Sequence, residues 1–149
     1  MSNLKVQGNA SGSGTTTLQS PNTSVSATIT LPDSTSADTL GYLNAPINSQ
    51  SAAYTAVAAD AGKIIFHPST DANARTFTIP ANGSVAYDTG TVLTFINMTS
   101  QVVTISITTD TMYLAGTGTT GSRSLAQYGI ATAVKMTSTT WLISGTGLT

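Results

Sequence analysis

Apolar and polar residues alternate in short runs along most of this chain, and a turn residue closes nearly every run. Val25, Ala27, Ile29 and Leu31 alternate with Ser26, Thr28 and Thr30 before Pro32-Asp33. Phe77 and Ile79 alternate with Thr76 and Thr78 before Pro80-Ala81-Asn82-Gly83, and Val103, Ile105 and Ile107 alternate with Thr104, Ser106 and Thr108. A period of two places the apolar set on one face of a strand and the hydroxyls on the other. The 91–97 segment is less regular: Val92-Leu93 and Phe95-Ile96 predict a strand covered on both faces. Residues 130–136 and 141–143 flank Thr137-Ser-Thr-Thr140 and predict a final hairpin, while 63–67 and 112–115 read as further strands. Helical spacing is nearly missing. The Ala-rich stretch 51–60 is the one competitor, and it reads better as a strand over 54–57. A turn follows at Asp60-Ala61-Gly62, where glycine supplies a positive φ. Many short strands between turn signals predict an all-β fold, a β-sandwich or a jelly-roll-like domain.

Large apolar side chains are unevenly spread. Residues 1–45 are poor in them and carry a Gly/Ser-rich centre, Gly8-Asn-Ala-Ser-Gly-Ser-Gly14. Such a stretch buries too little surface to fold alone as a compact unit. It is expected to be an extended N-terminal β arm and linker that pairs with neighbouring subunits or lies along a larger surface. Residues 46–149 hold the Trp, all three Phe and four of the five Tyr, and are expected to form the globular β domain.

Composition narrows the chemistry. About a third of the residues are Thr or Ser, only 7% are charged, and Glu and Cys are missing altogether. Soluble domains ordinarily carry about 25% charged residues. Here β-branched hydroxyls must hydrate the exposed faces and pack the pleat. The net charge of −1 comes from five scattered Lys/Arg and six Asp, with no basic cluster for nucleic acid or anionic membrane. Weak net charge also leaves little repulsion against self-association. No stretch is long and apolar enough to cross a bilayer, and Met1-Ser-Asn-Leu-Lys-Val6 lacks a secretory pattern. The expectation is a soluble chain made in the cytosol.

The candidate chemical motifs are thin. Gly116-Thr-Gly-Thr-Thr-Gly121 matches GxGxxG, but a dinucleotide site needs a following helix and an acidic residue about 20 positions on. Neither is in view, so a loop between strands is the expectation and no cofactor is assigned. His67 is the only histidine and sits before Pro68 at the end of an apolar run. It reads as a strand-end residue bonded to a turn. One His without Cys is a poor zinc set, whereas calcium near Asp33/Asp38 or Asp71/Asn73 stays open beside the commoner role of Asx residues in turns. Trp141 reads as core. Tyr87 and Tyr128, both beside turn signals, are the candidates for contact with a ligand such as a glycan.

The motifs together resemble structural proteins of tailed-bacteriophage virions. Gly8-Asn-Ala-Ser-Gly-Ser-Gly-Thr-Thr-Thr-Leu-Gln-Ser-Pro-Asn22 followed by Ala27-Thr-Ile-Thr-Leu-Pro-Asp33 resembles a module of phage fibres and small appended proteins. Ala58-Ala-Asp-Ala-Gly-Lys63, Thr76-Phe-Thr-Ile-Pro-Ala-Asn82, Gly90-Thr-Val-Leu-Thr-Phe95, Gly129-Ile-Ala-Thr-Ala-Val-Lys135 and Thr140-Trp-Leu-Ile-Ser-Gly145 resemble, in that order, a phage-associated β domain. One departure is that Ser34-Thr-Ser-Ala-Asp-Thr-Leu-Gly41 replaces the module's usual Gly-Thr-Leu-Ala exit. The resemblance implies a non-enzymatic virion protein, a homotrimeric capsid decoration or cement protein that binds the major capsid protein or other virion proteins. Leu4, Val6, Leu18, Val25, Ile29 and Leu31 of the arm would form the assembly interface. The alternative is a short tail fibre or spike that binds a host glycan.

Overall fold

Period-two runs become strands whose inward residues are the apolar ones. The computed structural model describes residues 44–149. The expected arm, its 25–31 strand and the interface residues Leu4, Val6, Leu18, Val25, Ile29 and Leu31 lie outside the described residues. Within them the fold is all-β, with nine strands and one 3₁₀ turn at Ala58–Asp60. In chain order the strands are β1 (Ile47–Ser49), β2 (Tyr54–Thr55), β3 (Ile64–His67), β4 (Arg75–Ile79) and β5 (Val92–Asn97). There follow β6 (Val103–Ile107), β7 (Thr111–Leu114), β8 (Arg123–Thr137) and β9 (Thr140–Leu148).

The chain fills two parallel stacks by turns. β1, β3 and β5 pair in parallel, and so do β2, β4 and β6. Each step along the chain therefore leaves one stack for the other, and the strand in the second stack serves as the crossover that a parallel pair requires. The long β8 joins the stacks. Its C-terminal half runs antiparallel to β5 from Val92↔Val134 to Asn97↔Gly129, and its start pairs with β6 through Val103↔Leu125. β9 folds back along β8, and β7 lies parallel to the outer side of β9. The result is one curled nine-stranded sheet, open along its length like half a barrel.

The hollow of the curl holds the core. Ile65, Leu93 and Phe95 enter from one stack, Phe77, Ile79, Val103 and Ile105 from the other, and Met112, Trp141 and Ile143 from β7 and β9, all essentially buried. His67 of β3 meets the ring of Phe77 on β4 edge-on, with centroids 5.8 Å apart. The small inward residues Ala131 and Ala133 of β8 make room for these rings. Gly145 is needed for the same hairpin: a Cβ there would overlap the carbonyl oxygen of Ile130 and lie 2.6 Å from Ala131 Cα.

Most expected strands form where the alternation placed them, and the 130–136/141–143 hairpin is the β8–β9 pair. Gly62 takes the expected positive φ of 74°. Three details differ. The 54–57 strand shortens to two residues because Asp60 draws the next residues into a 3₁₀ turn. β5 is covered on one face only, with Leu93, Phe95 and Asn97 buried and Val92 exposed. β8 begins at Arg123, well before 130, because its first half buries only Leu125 and Gly129 and so shows no apolar period.

Candidate functional site

Three polar centres and one exposed bulge hold the side chains that could do chemistry. The first is Asp60 at the end of the 3₁₀ turn. Its carboxylate accepts bonds from Asn48 Nδ2 (2.9 Å), Tyr54 Oη (2.8 Å) and the Val57 amide (2.9 Å). One buried acid thus ties β1, β2 and the turn together. Burial first, then the bond to Asp60, pushes the Tyr54 phenol above its ordinary pKa.

Tyr87, a candidate for ligand contact, is instead part of the core. Only 6% of it is exposed, its hydroxyl donates to the Val57 carbonyl at 2.7 Å, and its ring stands edge-on to Trp141 at 5.6 Å. The neighbouring turn bends the backbone, but the phenol finds a carbonyl partner inside and the ring finds the indole. Burial, followed by the nearby Asp60, holds its hydroxyl well above the ordinary tyrosine range.

His67 closes β3 and bonds to the next turn, as its sequence position suggests. Its Nε2 lies 3.0 Å from Asp71 Oδ2. The same carboxylate takes Arg75 Nε at 2.7 Å and Asn73 Nδ2 at 2.6 Å. Arg75 above all, then Asn73 and His67, hold the Asp71 carboxyl far below the usual carboxylate range. Both Asp71 oxygens that a calcium ion would use are therefore already engaged, and among the described residues no cluster of three or more His, Cys, Asp or Glu has metal-binding geometry. Asp33 and Asp38 lie outside the described residues.

Sequence reasoning passed over Lys135 as one of several scattered charges. It is fully buried, with Nζ 3.1 Å from Asn82 Oδ1, 3.8 Å from Asp110 Oδ2 and 5.0 Å from the centre of the Trp141 ring. Asp110 also accepts the Asn82 amide, at 3.2 Å to each oxygen. The signal was present in the register: Lys135 continues the inward series Ala131, Ala133. An ammonium placed inside needs a counter-charge and acceptor partners, and the β6–β7 turn (Asp110) and the turn after β4 (Asn82) supply them.

Asp110 lines a shallow cleft of about 280 Å³ beside the 116–121 loop, together with Thr111, Thr120 and Ser122. Gly116, Gly118 and Gly121 take φ of 84°, 71° and 113°, and the loop runs into strand β8. The GxGxxG match is therefore a β7–β8 turn, with no helix end to receive a phosphate. Tyr128 is the exposed counterpart of Tyr87. It is 71% accessible, has φ of 60°, and sits in the β8 bulge between Leu125 and Ile130.

These features define an all-β body in which Asp60, Asp71, Asp110 and Lys135 cross-link turns and strands. Comparison with known proteins finds no matching family model, no matching curated protein and no matching solved structure.

Proposed function

We propose that the chain is a non-enzymatic structural protein of a tailed-phage virion, acting as a homotrimeric decoration or cement protein on the assembled head. The observation that carries this reading is the ordered set of phage-like motifs on a body of low charge and high hydroxyl content. The packing agrees with a mechanical role, since Asp60, Asp71 and Asp110 each fasten separate turns or strands. The finer form belongs to the same reading: a sandwich-like body preceded by an N-terminal β arm. Two stacks facing across one core support the sandwich; their parallel ladders fit a jelly roll less well, because that fold is built from Greek keys.

The mechanism is binding without turnover. The arm, through Leu4, Val6, Leu18, Val25, Ile29 and Leu31, adds strands or apolar contacts to neighbouring subunits. A protein that binds only the assembled shell stabilises it by mass action. Purified full-length protein should co-sediment with undecorated heads, and a chain lacking residues 1–40 should stay in the supernatant while keeping its β-type circular dichroism. Full binding by the truncated chain rejects the arm mechanism.

One observation favours a second reading, a short fibre or spike that binds host glycan. Tyr128 holds an exposed ring in left-handed backbone, and strain of this kind, about 1 kcal/mol or more, tends to persist where function needs it. Binding on a glycan array that is lost in Tyr128→Ala would support this reading over decoration.

A further inference from the structure

The outward faces of the curled sheet differ sharply in chemistry. On the β2–β4–β6 side the outward positions are Thr55, Thr76, Thr78, Thr104 and Ser106, and Ser124 of β8 extends the row beside Thr104. Every one is a hydroxyl, which suits contact with water. On the other side, β1, β3, β5, β8, β9 and β7 lie edge to edge, and their registers align three rows. One runs Ile47, Ile64, Thr94, Thr132, Ser144; the next runs Ser49, Phe66, Ile96, Ile130, Thr146. The last runs Val92, Val134, Leu142, Tyr113.

None of those positions carries a charge. Ile47 is 65% exposed, Ile130 45% and Leu142 38%. Soluble sheets normally protect such a face with Lys or Glu. We infer that this six-stranded, uncharged and mainly apolar face is a self-association surface, buried against another copy of the same chain. Two arguments select a copy as the occupant. An uncharged face can meet another copy of the chain without like-charge repulsion, and the net charge of −1 adds little more. The area reaches the lower limit for a specific interface: six strands about 4.8 Å apart and three rows deep make a footprint of about 500 Å², so two copies would bury about 1,000 Å² in all. The inference deepens the proposed homotrimer, on which it rests, by naming the surface through which copies meet, and it holds for a decoration protein and a fibre alike.

The chain has no cysteine, so single thiols can report on each face. Ser144→Cys on the apolar face and Thr76→Cys on the hydroxyl face are both exposed positions. In full-length protein at high concentration, sedimentation should give a multiple of the monomer mass. Maleimide should then label Ser144→Cys at least tenfold more slowly than Thr76→Cys, and the two rates should converge on dilution to monomer. Ile130→Lys with Leu142→Lys should yield a folded monomer by the same measurements, whereas Thr76→Lys should leave the oligomer intact. A wild type that is monomeric at every concentration overturns the inference. So does equal labelling of both thiols in the oligomer, or protection of Ser144→Cys that survives in the monomer, which would mean that the chain's own N-terminal residues cover the face.

Discussion

Removing the counter-charge of Lys135 should be among the most damaging single changes in the described body. The Lys135 side chain is completely buried and that of Asp110 is 3% exposed, with 3.8 Å between Nζ and Oδ2. At that distance two unit charges interact by about 4 kcal/mol for an effective dielectric constant near 20. Asp110→Asn preserves the shape and leaves the ammonium with only Asn82 and the Trp141 face. Breaking a buried pair in this way costs about 3–5 kcal/mol. Lys135→Met should cost less, about 1–3 kcal/mol, because Asp110 keeps its Asn82 amide bonds and borders the cleft, where water can reach it. The double variant, which removes both charges, should return most of the loss. Urea unfolding at constant m reads these differences, and the Asp110→Asn deficit corresponds to a fall in Tm of roughly 10–20 °C. A deficit under about 1 kcal/mol, or a double variant equal to the sum of the singles, would refute the reasoning.

Other positions allow simpler tests. Gly145→Ala places a methyl group against the β8 backbone and should destabilise by about 2 kcal/mol or more in the same unfolding assay. Tyr128→Gly relieves left-handed backbone at an exposed position and should raise stability by about 1 kcal/mol; a loss would show that the ring packs on something. Asp71 gives a pH dependence. Its carboxyl is held below the ordinary value of 3.8, so the folded chain binds that proton more weakly than the unfolded chain does. Its contribution is therefore complete above about pH 4 and is lost as the pH falls further. Stability against pH should drop less steeply below pH 4 in Asp71→Asn than in the wild type.

The sequence carried the faces of the strands better than their partners. Phe77/Ile79 and Val103/Ile105 announce which side of each strand is buried, because period two is a local property. That β4 pairs with β6 in parallel, skipping β5, depends on contacts remote in sequence and leaves no local trace. The first half of β8 was hidden for a related reason, since only Leu125 and Gly129 turn inward there. The sites divide in the same way. His67 was legible from its place between an apolar run and Pro68. Tyr87 was not, because a turn signal fixes the backbone and says nothing about where a ring will point. Lys135 could have been found by placing it in register with Ala131 and Ala133, which requires trusting the strand over the charge.

Labelling intact virions with a gold-conjugated antibody to this protein tests the central proposal most directly. The expected result is a regular array of particles over the head surface, removed when the protein's gene is disrupted. Virions that bear no gold anywhere, under conditions in which the antibody recognises the purified folded chain, would contradict it.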